Sequence, residues 1–337
     1  MTVAFSRPTT LLSNGTLPEG YRLVADEALV SAQSGQRYAG FISESMARLN
    51  VARRLLSLRP APAAVVAGRY GEAYSLVRGL LGRRWPPLVL LDVEWHARSR
   101  HTLRQAFSRA HHRRIAAGAC AIQVFCEAEI ERYASFFGIA REKFVWVPFC
   151  MDLDRSAFEV RDGDYIFTGG ILDRDYPTLF EAVRDLPIEV RLAAPPQAVD
   201  ARRMPPNVRL LGTVPRLEYF RQIAGARVVA LSLTPDDSLR FPGVITYCAA
   251  MHLGKCVVLN EPVGSRSYIQ SGVHGLAVPI RDPGALRAAL QSVLDDGVLR
   301  ARLAGAALQR ARSSFTVRNY FEHLDRVLRS LRDSVPA

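Results

Sequence analysis

Three groups of residues in this 337-residue chain are spaced for chemistry. The first is the run Phe241–Val258, FPGVITYCAAMHLGKCVV. From Val244 to Leu253 the apolar residues recur at helical spacing, Gly254 stops the pattern, and Cys256–Leu259 reads as a buried strand. A helix opened by Gly243 turns its free backbone N–H groups and the positive end of its dipole outward, which suits a diphosphate. The alternative is an ordinary helix–strand unit whose glycines only cap. The second group, Leu91–His96 (LDVEWH), ends a strand. Alternate residues share a strand face, so Asp92, Glu94 and His96 form one polar edge that can hold a general base or simply finish a strand. The third is basic: Arg98, Arg100, Arg104, Arg109, Arg113 and Arg114, with His101, His111 and His112, on a helix whose apolar stripe is Leu103, Phe107 and Ile115. Arg83-Arg84-Trp85 adds a basic-aromatic patch.

The elements that must position these groups alternate. In the first half the pattern predicts helices at 40–58, 71–81, 101–117 and 127–137 and strands at 63–67, 88–93, 120–126 and 144–148. Residues 1–25 read as irregular. In the second half it predicts strands at 165–168, 189–193, 208–211, 228–231, 256–259 and 276–279. Helices are expected at 177–184, 216–223, 244–253, 268–271, 283–294 and 315–331. Strands alternating with helices imply parallel, doubly wound sheets, whose ligands bind outside the carboxyl ends of the strands. The expected fold class is therefore α/β, with two Rossmann-like domains facing a cleft: residues 1–150, a linker at 151–164, and 165–315. A C-terminal helix, 316–337, is expected to cross back to the first domain or to end on the second.

Composition sets the outer bounds. Hydrophobic residues make up 49% of the chain, enough for two cores, and no apolar run is long enough to span a bilayer. The N-terminus lacks the pattern of a signal peptide. Five cysteines without a C-x-x-C pair indicate reduced thiols in a cytoplasmic protein rather than a disulfide framework or a zinc site. The net charge of +12 is uneven: residues 1–150 hold 20 basic against 11 acidic side chains, the remainder 24 against 21. An anionic partner on the first half follows. Only two of the 44 basic residues are lysines, which moderates that signal. A basic amphipathic surface including Arg84, Trp85, Arg104, Arg113 and Arg114 suits a peripheral site on anionic lipid, and a solvated helix packed on a sheet is the plain alternative. No nucleic-acid-binding pattern accompanies the charge.

Four segments of the second half share an order and spacing: Tyr165–Leu179 (YIFTGGILDRDYPTL), Gly212–Tyr219 (GTVPRLEY), Phe241–Val258 and Tyr268–Pro283. Together they resemble the donor domain of GT-B glycosyltransferases, especially the large retaining family that includes relatives of sucrose and trehalose-phosphate synthase. The resemblance covers about residues 144–325. It implies transfer of a sugar from a nucleotide-diphosphate donor to a saccharide, lipid-linked or otherwise, in envelope polysaccharide or glycoconjugate assembly, with no metal or other cofactor. Gly169, Gly170 and Arg174 would then meet the diphosphate, as would the amides of Gly243, Val244 and Ile245, with Thr246 in the same turn. Val214 and Leu217 would cradle the base, and His96, Asp92 and Glu94 would sit near the reacting sugar. One departure stands out. The family's two glutamates, seven residues apart, fall here on Arg240 or Phe241 and on Cys248 or Ala249. Asp236 and Asp237 lie just upstream as substitutes for the sugar hydroxyls. Stereochemistry and donor identity stay open, as do two other readings: a sugar-nucleotide epimerase and a catalytically silent binding relative.

Overall fold

Short aliphatic runs build several of the interior strands, because a parallel sheet covered on both faces selects continuous apolar sequence. AVVA at 64–67, VVAL at 228–231 and VVLN at 257–260 are buried throughout. The computed structural model describes residues 2–7, 17–26, 40–81, 85–91, 95, 102–171, 173–234, 242–260 and 264–333. The chain divides into two units. One is Met1–Phe149 with Arg318–Ala337, and the other is Cys150–Asp236 with Phe241–Val317.

The first unit holds β1 (Val3–Arg7), β2 (Tyr21–Asp26), β3 (Ala64–Ala67), β4 (Leu88–Leu90), β5 (Ala121–Val124) and β6 (Phe144–Trp146). All pair in parallel, in the order β2-β1-β3-β4-β5-β6. The helices are α1 (Gly40–Leu56), α2 (Glu72–Leu81), α3 (Thr102–Gly118) and α4 (Glu127–Phe137). The first 25 residues are not all irregular: β1 is an interior strand, paired on both sides, with Phe5 fully buried. The run VAFSR is too short and too mixed to show either strand periodicity, so only its partners reveal it.

A last helix, α10 (Val317–Asp333), completes this unit. Phe321 packs on Phe5 and Tyr21 at ring distances of 5.5 and 5.1 Å, and Tyr21 Oη donates to Asp325 Oδ1 at 2.7 Å.

The second unit holds β7 (Tyr165–Gly169), β8 (Glu189–Ala193), β9 (Val208–Leu210), β10 (Val228–Leu231), β11 (Val257–Asn260) and β12 (Leu276–Val278). They too are parallel, in the order β12-β11-β10-β7-β8-β9. Numbered within the unit this is the doubly wound order 3-2-1-4-5-6, with its reversal between β7 and β10. Its helices are α5 (Tyr176–Val183), α6 (Arg216–Gly225), α7 (Val244–His252), α8 (Pro283–Asp295) and α9 (Gly297–Ser314).

Three expectations need correction here. The stretch 151–164 is pinned to the second unit: Lys255 Nζ donates to Arg161 O at 2.8 Å and pairs with Asp162 at 3.0 Å, and Arg155 Nε donates to Leu253 O at 3.1 Å. The helix expected at 268–271 is absent. A single turn at Ser265–Ser267 takes its place, because Tyr268 is drawn into the core against Tyr247 and Phe315. The long helix α9 was not expected, since its buried stripe is only Leu303, Ala307 and Ala311 in an Ala- and Arg-rich run.

Candidate functional site

In doubly wound sheets the crevice for ligands opens where the strand order reverses, beyond the carboxyl ends of the strands. In the second unit that place is the end of β7 beside β10, where Gly169 and Gly170 stand. Gly170 has φ +122°, a conformation open mainly to glycine. Arg174 fills the space a side chain there would need: a Cβ on Gly170 would fall on its guanidinium, at a separation no real atom shows. The arginine is held in that position by its Nε, which donates to Gly169 O at 2.8 Å. Tyr176 Oη donates to Gly170 O at 2.5 Å. Arg174 itself bridges to Leu233, and Asp175 N donates to Ser232 O at 2.9 Å, so the segment returns along the end of β10. Asp175 spends its carboxylate capping α5 through Thr178, at 3.1 Å to N and 2.7 Å to Oγ1.

Two chains of contact run from this turn to α7. Leu233, next to Arg174, lies where a Cβ on Gly243 would meet it at 3.4 Å. Tyr219 of α6 lies beneath Gly169 and shares a 2.8 Å hydrogen bond with Thr246. Gly243 takes φ +85° and opens α7 without a side-chain cap. The N–H groups of Thr246 and Tyr247 both return to Gly243 O, leaving the amides of Val244 and Ile245 as the outward-facing pair of the first turn. Asn260 locks the neighbouring strand end, accepting from Leu233 N at 2.6 Å and donating to Leu233 O at 2.7 Å, so that its side chain imitates a strand backbone. Val214 is half-buried and Leu217 exposed in the turn before α6.

Thus Gly169, Gly170, Arg174, Gly243, Val244, Ile245 and Thr246 are gathered around one strand-end region. Asp237, with Asp236, lies outside the described residues. Cys248 and Ala249 are both fully buried, so neither offers a polar group to a ligand. Tyr219 and Tyr176 were missed by sequence reasoning, because a tyrosine on an apolar helix reads as core.

In the first unit, Asp92, Glu94 and His96 lie outside the described residues. Trp95 between them is buried, ringed by His112, Phe137 and Tyr133 at 4.6, 5.2 and 6.1 Å. Its indole Nε1 donates to Glu72 Oε1 at 2.9 Å, and Arg48 Nη1 stands 3.7 Å from Glu72 Oε2. Burial pushes the Glu72 carboxyl up, with Trp95, Arg48, His111 and Arg69 working against it. A lone Glu after Gly71 gave the sequence no hint of this buried carboxylate.

The basic helix α3 divides its arginines differently from expectation. Arg113 Nε donates to Phe137 O at 2.7 Å and Arg109 Nε to Phe136 O, so both cap the end of α4, while Arg113 stays exposed. Arg114 is exposed, Trp85 half-buried, and the side chain of Arg104 and all of Arg84 lie outside the description. The stripe Leu103, Phe107, Ile115 is not one face: Ile115 is buried, whereas Leu103 and Phe107 are 84% and 76% exposed. Among the described residues no helix is long and apolar enough to cross a membrane, and no cluster of three His, Cys, Asp or Glu side chains is arranged to hold a metal ion.

Residues 167–296, the core of the site just described, match the family profile "Glycosyl transferases group 1". That stretch of the second unit is similar to group 1 glycosyl transferases. Among solved structures the whole chain is similar to sucrose-phosphate synthase from Thermosynechococcus elongatus, with TM-score 0.67 at 15% identity, covering 99% of this chain and 89% of that one. It is similar to HepE of Anabaena in complex with UDP, with TM-score 0.68 at 14% identity over 98% and 100% of the two chains. A glycosyltransferase from Rickettsia africae gives 0.66 at 10% identity over 99% of each. No curated protein matches. The fold is GT-B, and the chain is a glycosyltransferase enzyme.

Proposed function

We propose that this glycosyltransferase moves a sugar from a nucleotide-diphosphate donor to a saccharide acceptor in envelope polysaccharide or glycoconjugate assembly, without a metal ion. The observation that carries the reading is Arg174 lying over Gly170 at the strand-order reversal. Departure of a nucleoside diphosphate leaves negative charge on its oxygens, and a guanidinium beside glycine amides and a helix N-terminus neutralises it. Arg174 therefore meets the phosphates, joined by the amides at Gly169–Gly170 and Gly243–Ile245. Val214 and Leu217 line the base, and Asp237 takes sugar hydroxyls in place of the absent glutamates. His96, with Asp92 or Glu94, serves the reacting centre. HepE of Anabaena has been solved with UDP and with UDP-glucose, which supports the same class of donor here.

The acceptor side is assigned to a lipid-linked saccharide at an anionic membrane surface on the cytoplasmic side. Exposed Leu103 and Phe107 beside Arg114 on α3 support this docking, since apolar side chains enter the interface while basic ones meet headgroups. Calorimetry against UDP-, GDP-, dTDP- and ADP-sugars tests the donor. Arg174→Ala is expected to weaken the preferred nucleotide about 10- to 100-fold with the fold intact. Unchanged affinity would overturn the assignment. Turnover is expected to survive chelation of metals. Burial of both Cys248 and Ala249 favours a second reading, a silent relative that binds nucleotide without transferring sugar, and an assay showing binding without turnover would select it.

A further inference from the structure

Tyr219 Oη and Thr246 Oγ1 lie 2.8 Å apart and join α6 to the first turn of α7. The Tyr219 ring meets Phe167 of β7 edge-on at 5.0 Å. A Cβ on Gly169 would lie 2.8 Å from the ring's Cε2 and 2.9 Å from Oη, so the ring lies directly beneath the Gly169–Gly170 turn. Thr246 is buried. Packing alone would be met by a phenylalanine ring opposite an aliphatic side chain. A buried hydroxyl is tolerated only with a partner, so the pair specifies a geometry that apolar contact does not.

We propose that Tyr219 and Thr246 are positioning residues that fix the separation of the glycine turn from the N-terminus of α7, setting these two anion-binding elements to the two phosphates of a nucleoside diphosphate. The proposal rests on the donor-site reading above. Each element alone contacts one phosphate, and only their spacing distinguishes a diphosphate from a monophosphate. Burial raises the Tyr219 hydroxyl's pKa, with Arg174 and Thr246 opposing, so the group stays protonated and available to the pair.

The test uses the whole chain and calorimetry. The ligand is whichever of UDP, GDP, dTDP and ADP the unaltered protein binds best, compared with its monophosphate. Tyr219→Phe is expected to weaken the diphosphate about three- to tenfold and to leave the monophosphate within about twofold. Donor KM should rise more than kcat falls. Thr246→Val, close in volume, should reproduce the effect, Thr246→Ser should restore it, and the double variant should be no weaker than either single one. Equal loss for both nucleotides, additive losses, or an unchanged diphosphate affinity would overturn the proposal. If the unaltered chain binds none of the four diphosphates, the donor reading itself fails and takes the proposal with it. That outcome is read from the unaltered protein and is separate from the others.

Discussion

Gly170 and Arg174 share one volume. The glycine's φ of +122° and its missing side chain are what let the guanidinium rest against the turn, with Nε on Gly169 O. Gly170→Ala is therefore expected to cost about 1–3 kcal/mol of stability from backbone strain alone. It should also lose nucleotide affinity as severely as Arg174→Ala, because the added methyl displaces the arginine. Thermal unfolding and calorimetry on the same samples separate the two effects, and retained affinity in the alanine variant would contradict the shared-volume account. Both residues were legible in the sequence by type: paired glycines after a strand and an arginine before a helix. Their mutual fit was not, since it depends on a backbone angle. Tyr219 was hidden for a different reason: only contact with Thr246, 27 residues away, gives its hydroxyl a use.

At the scale of elements, α2 begins with a buried carboxylate, and this gives the first unit a pH dependence. The Glu72 carboxyl is raised above its ordinary value of 4.5 mainly by burial, while Trp95, Arg48, His111 and Arg69 offset part of that. A carboxyl raised in the fold contributes stability that is present below about pH 4.5 and is lost as pH rises through the folded value. Glu72→Gln keeps an acceptor for the Trp95 indole and removes the charge. The variant is expected to equal or exceed the unaltered protein in stability at pH 7, with the advantage vanishing near pH 4, as denaturant titrations at the two values would show. A loss at pH 7 would mean that Arg48 and Arg69 outweigh burial.

The alternation of strands and helices was legible because buried parallel strands are written as aliphatic runs. What escaped were β1 and β2, too short to show a period, and α9, whose stripe is mostly alanine. The basic helix α3 was correctly placed but its apolar stripe was misjudged, since Ile115 is buried whereas Leu103 and Phe107 are exposed.

For the whole molecule, the decisive arrangement is that the first unit contains both ends of the chain. Phe321 fills the space against Phe5 and Tyr21, and its replacement by alanine is expected to destabilise that unit by about 3–5 kcal/mol. Tyr21→Phe, which removes only the bond to Asp325, should cost about 1 kcal/mol. Denaturant unfolding followed through tryptophan fluorescence reads the first unit, because Trp85, Trp95 and Trp146 all lie in it. Equal costs for the two variants would show that the ring contacts contribute little.

The same arrangement orders events on the ribosome. Domains usually mature as they emerge, the N-terminal one first. Here the N-terminal unit leaves the ribosome with Phe5 and Tyr21 uncovered, and about half of the chain must still be translated before α10 arrives to seal them. The unit begun first is finished last. A fragment ending at Phe149 is therefore expected to aggregate when made alone and to regain solubility when a peptide of residues 316–337 is supplied. During synthesis the nascent chain has the exposed apolar surface that chaperones bind.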